Sequence, residues 1–245
     1  MGGQRPSGAE TPALWFNPPD EGPGGRRALT RERVVAEALA MIAADGAQSL
    51  SMRALAARLG VVPGALYRHV RGKEQLYALV LDAVLREVDC RADPATPWAA
   101  QVAALARRLR AVLENHPGVA ALLKTRDPLS PASLALAEAF LAPLHAAGLS
   151  GRQAALAFRL IYDYSLGFAL AGPASPAEQR LGDSAARQQL HAFLRSLPVS
   201  SFPTLVAYGT HVWADDREER FTSGLDTLIC GLQAAQRSPE SSHAS

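Results

Sequence analysis

The chain has 245 residues, of which 48% are hydrophobic, 20% charged and 6% aromatic. This composition fits one or two globular domains and excludes a disordered or collagen-like polymer. The longest uncharged stretch, 196–214, contains Pro198 and Pro203, so it does not predict a membrane helix. The amino-terminal MGGQRPSGAE lacks the basic-then-apolar pattern of a secretory signal, and we therefore expect a cytoplasmic protein without membrane contact.

The net charge of +2 is small but unevenly distributed. Between Arg26 and Lys73 there are nine basic and three acidic residues, a local net charge of +6, so the remaining 16 basic and 20 acidic residues give −4. A basic module on an acidic body is typical of a protein that meets a polyanion at one end, although a solvated basic face gives the same count.

Cys90 and Cys230 form no CxxC pattern, which predicts small core or interface residues and no disulfide or zinc site.

The first 28 residues are rich in glycine and proline and predict a disordered arm. Thr30 is a suitable N-cap for a first helix that ends at Asp45-Gly46. Ser51 caps a second helix through Leu59, Pro63 starts a third that ends near Val70, and a long fourth helix runs from Lys73 to about Cys90.

Beyond Pro97 the apolar residues keep helical spacing, and no strand-like alternation interrupts them. The pattern predicts helices at about 97–115, 117–124, 131–147, 151–171, 177–196 and 216–236. We therefore expect an all-α protein with a three-helix head at 29–75, a larger helical body at 76–237 and a disordered tail at 238–245.

The segment from Met52 to Val70 predicts a helix-turn-helix. Ala56 is small where two helices cross, and Gly60 lies four residues later at a sharp turn. Apolar residues such as Leu55 and Leu66 lock the pair together, and the second helix of such a unit lays its first residues in a DNA major groove. Two ordinary packed helices are the alternative.

The run ALTRERVVAEALAMIAADGAQSLSMRALAARLGVVPGALYRHVRGKEQLYALVL resembles the DNA-binding domain of the TetR family of transcriptional repressors. It carries that family's turn, its aromatic-x-His phosphate clamp and its following lysine. The carboxy-terminal part is similar to the tetracycline repressors of this family at Thr125-Arg126, at 164–167 and at 221–232. Leu122 stands where their metal-liganding histidine is expected, so neither a metal nor another cofactor is predicted.

The resemblance and side-chain chemistry together predict how the head meets DNA. Tyr67 and His69 can donate to phosphate oxygens, and Lys73 lies where a helix N-terminus adds its own attraction for an anion. Arg53 can offer a bidentate fork to guanine, and the methyl group of Ala65 can contact thymine. The DNA-binding candidates are Arg53, Pro63, Gly64, Ala65, Tyr67, Arg68, His69 and Lys73. A core or metal-binding role is the alternative for His69.

The resemblance also implies a ligand-responsive repressor whose body holds a small, mostly apolar effector and forms a homodimer on a palindromic operator. The pocket candidates, for which core packing is the alternative, are Trp98, Leu105, Leu109, His116, Thr125, Arg126, Phe140, Phe158, Tyr162 and Phe168. The dimer-interface candidates are Leu160, Tyr164, Phe221, Gly224, Leu225, Leu228, Gly231 and Leu232.

Six scattered histidines and the lack of HExxH, GxSxG or a phosphate-binding glycine loop predict that the protein is not an enzyme. The other functional class left open is a helical DNA-binding protein without an effector, which would be a constitutive repressor.

Overall fold

A computed structural model describes residues 29–125, 129–171, 184–212 and 217–237. Every regular element in these ranges is helical, which confirms the predicted fold class. The predicted arm and tail and the pocket candidate Arg126 lie outside the described residues. None of the described helices is long and apolar enough to cross a membrane.

The chain divides into two compact units at Leu170 and Ala171. The first unit contains α1 (Arg31–Asp45), α2 (Met52–Leu59), α3 (Pro63–Leu66), α4 (Lys73–Leu85), α5 (Trp98–Asn115), α6 (Pro117–Thr125), α7 (Pro131–Ala146) and α8 (Gly151–Leu170). The second unit contains α9 (Ser184–Ser196), α10 (Pro203–Val212) and α11 (Arg217–Arg237).

Two predicted helices end earlier than expected, and one observed helix was not predicted. α3 ends at Leu66, and the residues up to Val70 continue as turns. α4 ends at Leu85 instead of near Cys90, because the next backbone bonds span three residues, as in Val88 N–H to Leu85 O at 3.1 Å. α10 lies in a segment for which no helix was predicted, and a proline at its first position makes that start favourable.

Local chemistry accounts for the start of the head. The Thr30 hydroxyl accepts from the Arg33 N–H at 3.2 Å, and the Ser51 hydroxyl accepts from the Ala54 N–H at 3.1 Å. Each bond satisfies a backbone donor that has no partner inside its helix. Gly60 ends α2 at φ 69° and ψ 30°, a left-handed conformation that glycine adopts without a Cβ penalty. The predicted caps and turn are therefore confirmed.

α4 is shared by the head and the helices that follow it. It packs on α1 on one side and on α5, α6 and α7 on others. Asp82, only 2% exposed, lies on this helix and accepts from the Ala132 N–H at 2.9 Å. Its second oxygen forms an ion pair with Arg86. A buried carboxylate thus caps the start of α7 from a different helix.

A second close contact joins α6 to α1. A Cβ atom placed on Gly118 would lie 2.9 Å from the Ile42 carbonyl oxygen and 2.7 Å from its Cγ2 atom. These distances are shorter than van der Waals contact, so glycine allows α6 to approach the backbone of α1.

We expect Asp82→Ala to lower the free energy of unfolding by about 2–3 kcal/mol, since it leaves the Ala132 N–H without its charged acceptor. Asp82→Asn should recover part of this loss because an amide oxygen can still accept that bond. Glu138→Ala, which removes an exposed carboxylate on α7, is the matched control and should change stability by less than about 0.5 kcal/mol. Urea unfolding followed by circular dichroism measures all three, and equal losses for Asp82→Ala and Glu138→Ala would contradict the capping role.

Candidate nucleic-acid interface

The segment that begins at α3 separates into an inner and an outer face. Leu66 is fully buried and Val70 is 1% exposed, so these side chains hold the segment on the head. Tyr67 is 54% exposed and Arg68 is also exposed. The predicted DNA-facing residues at the start of α3, Pro63 and Gly64, are exposed as well. One short segment therefore presents an aromatic hydroxyl, a guanidinium and a flat backbone surface together.

The predicted thymine contact by Ala65 needs correction. Ala65 is only 8% exposed, so it belongs to the buried part of the segment together with Leu66. In this arrangement its methyl group packs inside the head and has little area to offer a base. Any apolar reading of DNA by this segment therefore falls to Pro63 and to the Gly64 backbone.

Two side chains that sequence reasoning missed hold the following turn. Arg31 on α1 donates from Nε to the His69 carbonyl oxygen at 3.3 Å, and the Arg71 N–H donates to Gln75 Oε1 at 2.5 Å. His69 is half-buried, which leaves part of its ring accessible. Gln75 follows Arg71 by four residues across a helix start, and this spacing is the sequence signal for their hydrogen bond. Arg31 gave no such signal, because in the sequence it is only one more positive charge.

Lys73 is the first residue of α4, where backbone N–H groups point out of the helix. A positive side chain at a helix N-terminus is ordinarily unfavourable, because it opposes the helix dipole. Its ammonium group lies 5.3 Å from the centroid of the Tyr77 ring, and the Tyr77 hydroxyl donates to the Ala47 carbonyl oxygen at 2.8 Å. A fixed ring thus positions a cation beside helix N–H donors, an arrangement suited to a phosphate.

The other basic residues of the head differ in how much charge they leave for DNA. Arg53 is exposed on the first turn of α2. Arg58 on the same helix pairs with Glu37 of α1 at 2.5 Å, so its charge is locally neutralised. Arg53 is therefore the guanidinium of α2 best placed to reach a base.

The first unit contains a group of rings that includes three of the predicted pocket residues. The Phe158 ring lies 5.7 Å from that of Phe140 and 5.8 Å from that of Tyr162, measured between centroids. These rings join α7 to α8, and α5 packs on both helices. The other candidates on α5 are half-buried Trp98 and the buried Leu105 and Leu109.

Two of the remaining pocket candidates have contacts outside this ring group. The His116 ring nitrogen lies 3.0 Å from Glu87 Oε2, just beyond the end of α4. Phe168 stacks on Tyr164 at 5.0 Å. The side chain of Thr125 lies outside the described part, while Leu122 is 4% exposed and belongs to the core. In the described ranges no group of three or more His, Cys, Asp or Glu residues is placed to hold a metal ion.

Two predicted dimer-interface residues need correction. Phe221 and Leu225 are fully buried within the single chain, so they have no surface to offer a second copy. Gly224, Leu228 and Leu232 are half-buried, and Gly231 is exposed. Cys230 is exposed too, so it is not a core residue, and its alternative role at an interface stays a prediction. On α8, Tyr164 is half-buried and Leu160 is 48% exposed, and Leu156, missed from the sequence, is 59% exposed.

Comparison with sequence families gives two matches that lie side by side along the chain. Residues 34–80 match the family described as bacterial regulatory proteins, tetR family. Residues 92–236 match the tetracyclin repressor-like C-terminal domain. The second match alone covers more than half of the chain.

Similar proteins align over nearly their whole length. An HTH-type transcriptional regulator of Saccharopolyspora erythraea is 31% identical over 222 residues, covering 91% of this chain and 92% of its own. The HTH-type transcriptional repressor DrrR1 of Streptomyces coeruleorubidus is 32% identical over 235 residues, covering 93% of this chain and 87% of its own. Both are named as regulators of transcription and not as enzymes.

A solved structure extends the comparison. ActR of Streptomyces coelicolor in complex with actinorhodin superposes with a TM-score of 0.74 at 33% identity, covering 86% of this chain and all of that chain. The exposed helix-turn-helix and these matches define a DNA-binding regulator of transcription. The chain belongs to the TetR family of transcriptional regulators, and one of these similar proteins is named as a repressor.

We expect Lys73→Ala to weaken binding to operator and to random DNA alike, since a phosphate contact carries no sequence information. The slope of log affinity against log salt should fall by about 1 for each DNA-bound head. Lys124→Ala is the matched control, because Lys124 is an exposed lysine on α6 and its removal changes the net charge equally. Fluorescence anisotropy at several salt concentrations makes the measurement. An unchanged slope for Lys73→Ala would contradict its phosphate role.

Proposed function

We propose that this regulator binds an imperfect palindromic operator as a homodimer and releases it when a small, largely aromatic molecule occupies the body. The observation that carries the proposal is the two-sided α3 segment, in which Leu66 and Val70 anchor the head while Tyr67 and Arg68 project outward. Such a segment fits a major groove with phosphate contacts on its flanks. We place its action in the cytoplasm, as expected for a regulator of bacterial DNA.

The exposed leucines of α8 support the homodimer. Leu156 and Leu160 are four residues apart, so they lie on one face of the helix. Large exposed apolar side chains on one face are typical of a surface that a partner covers. A two-fold dimer presents two α3 segments in fixed relative positions, and the half-sites of its operator then lie about one or one and a half helical turns apart.

The ring group on α7 and α8 supports an aromatic effector. Phe158 is half-buried between two rings, Phe140 and Tyr162, at centroid distances typical of favourable aromatic pairs. A flat aromatic ligand that enters here replaces contacts between the protein's own rings with contacts between those rings and the ligand. ActR, whose structure resembles this one, binds actinorhodin.

The route from this group to the DNA passes through α4. α7 carries Phe140 and receives the Asp82 cap at its start, and α4 carries Lys73 at its own start. An effector that favours another position of α7 would therefore shift α4 and the spacing of the two heads. A constitutive repressor remains the second candidate, and the effector test below separates the two.

We expect Leu160→Asp to convert the dimer to a monomer and to reduce operator affinity by at least about tenfold, because a carboxylate at an apolar interface is costly to bury. Leu134→Asp is the matched control, since Leu134 on α7 is 47% exposed, almost the same as Leu160. Sedimentation at micromolar concentration and anisotropy on a selected operator report the two effects. A wild-type chain that sediments as a monomer would contradict the proposed dimer.

For the effector we expect actinorhodin, used as an aromatic probe, to bind and to lower operator affinity by about 5–150-fold, the usual range of allosteric coupling. Operator DNA should weaken actinorhodin binding by the same factor. Phe158→Leu should weaken the probe by about tenfold, whereas Phe193→Leu, at a ring 59% exposed on α9, should not. Calorimetric titration measures binding directly. Tight binding with unchanged operator affinity would favour the constitutive repressor.

A further inference from the structure

We propose that a crevice between α1 and α4 is a second ligand site, which binds a small aromatic anion and thereby loosens the DNA-contacting segment 67–73. The crevice has a volume of about 440 Å³ and is lined by α1, α4 and Pro131 at the start of α7. This volume suits a ligand of two or three fused rings. The site is separate from the ring group of α7 and α8. Its effect on DNA rests on the proposed function, whereas binding of the anion does not.

The walls of the crevice are mostly apolar. Val35 and Leu39 of α1 and Leu79 of α4 supply large side chains, while Ala36 and Ala83 supply small ones. Because these alanine side chains are small, space remains open between the two helices. A flat ring that enters the crevice removes apolar surface from water on both of its faces, which favours binding.

The charged side chains of the lining are two guanidiniums, Arg31 and Arg86, and two carboxylates, Glu32 and Asp82, and the guanidiniums supply the charged donors for an anion. Arg31 and Arg86 each carry a guanidinium with five N–H donors, and Arg86 is 70% exposed although one of its terminal nitrogens pairs with Asp82. Asp82 offers no acceptor to a ligand, because it is buried and both of its oxygens are engaged. Hydrogen bonds from its own backbone N–H and from the Thr30 hydroxyl lower the pKa of Glu32, so this carboxylate stays ionised and is held at the helix cap.

Two lining residues of the crevice also hold the DNA-contacting segment. Arg31 donates to the His69 carbonyl oxygen, and Gln75 accepts from the Arg71 N–H. An anion that draws the Arg31 guanidinium toward itself competes with the His69 bond. Occupancy of the crevice therefore releases the turn that carries the phosphate-binding side chains, and DNA binding weakens without any change in the body.

The test uses the full-length chain and two probes of equal size, 2-naphthoate and the uncharged 2-naphthamide, followed by calorimetric titration. Ala36→Leu and Ala83→Leu fill the crevice and should each weaken naphthoate by at least about tenfold. Ala36 is exposed, so its replacement spares the core, and Ala100→Leu at an exposed alanine of α5 is the control for added bulk.

The charge is tested by a separate pair of variants. Arg86→Gln should weaken naphthoate by about tenfold and naphthamide by less than about twofold. Arg152→Gln, at an exposed arginine of α8, should leave both affinities unchanged. Equal loss for the two probes in Arg86→Gln would overturn the anion-binding role.

Operator binding supplies the second readout. Naphthoate should lower operator affinity by about fivefold or more in the wild-type chain and in Phe158→Leu, but not in Ala36→Leu. If naphthoate occupies the crevice and operator affinity stays constant, the coupling is overturned. If no operator can be selected at all while naphthoate binding keeps its dependence on Ala36 and Arg86, the proposed function fails and the ligand site stands.

Three further results would overturn the site itself. If neither Ala36→Leu nor Ala83→Leu changes the affinity for naphthoate, the probe binds elsewhere. Binding that develops only after removal of residues 1–28 would make the chain's own amino-terminal segment the occupant. Binding that strengthens on dilution to the monomer would make a second copy of the chain the occupant.

Discussion

The buried carboxylate of Asp82 is the interaction on which the relation between the head and the following helices depends. Burial of a charge is costly unless hydrogen bonds and an opposite charge compensate it. Asp82 has both, a backbone N–H at the start of α7 and the guanidinium of Arg86 on its own helix. A shift of α4 relative to α7 breaks the first of these. The two helices therefore move together, or one of them moves at a cost of a few kcal/mol.

This constraint gives the proposed connection between DNA and effector a definite physical form. α4 begins with Lys73, the predicted phosphate contact, carries the capping carboxylate of Asp82 in its last turn and ends two residues before Glu87, which contacts His116. The approach of Gly118 to the backbone at Ile42 adds a second rigid contact between α6 and α1. Tightly packed contacts of this kind respond to a ligand by changing between discrete arrangements, so a small displacement at one end reaches the other.

The faces of each helix in the body differ in how far their side chains are exposed, and this difference distinguishes internal faces from surface faces. On α8, Phe158 and Tyr162 turn toward other rings while Leu156 and Leu160 remain at the surface. On α11 the apolar stripe that includes Phe221 is internal, and polar residues occupy the outward face. The facing sides of α1 and α4 are also not fully packed against each other. Small side chains there leave the crevice open, where larger side chains would have filled it.

The sequence by itself determined most of the helices, the caps at Thr30 and Ser51, the turn at Gly60 and the family, because these depend on local backbone preferences and on one continuous motif. It did not determine which way each apolar side chain points. Ala65 and Phe221 were expected at surfaces and are buried, since a helical stripe is equally consistent with a core and with an interface. The contacts of Arg31 with His69 and of Asp82 with Ala132 join residues 38 and 50 positions apart. Only the tertiary structure brings such pairs together, because packing of several helices, and no local preference, sets the distance between them.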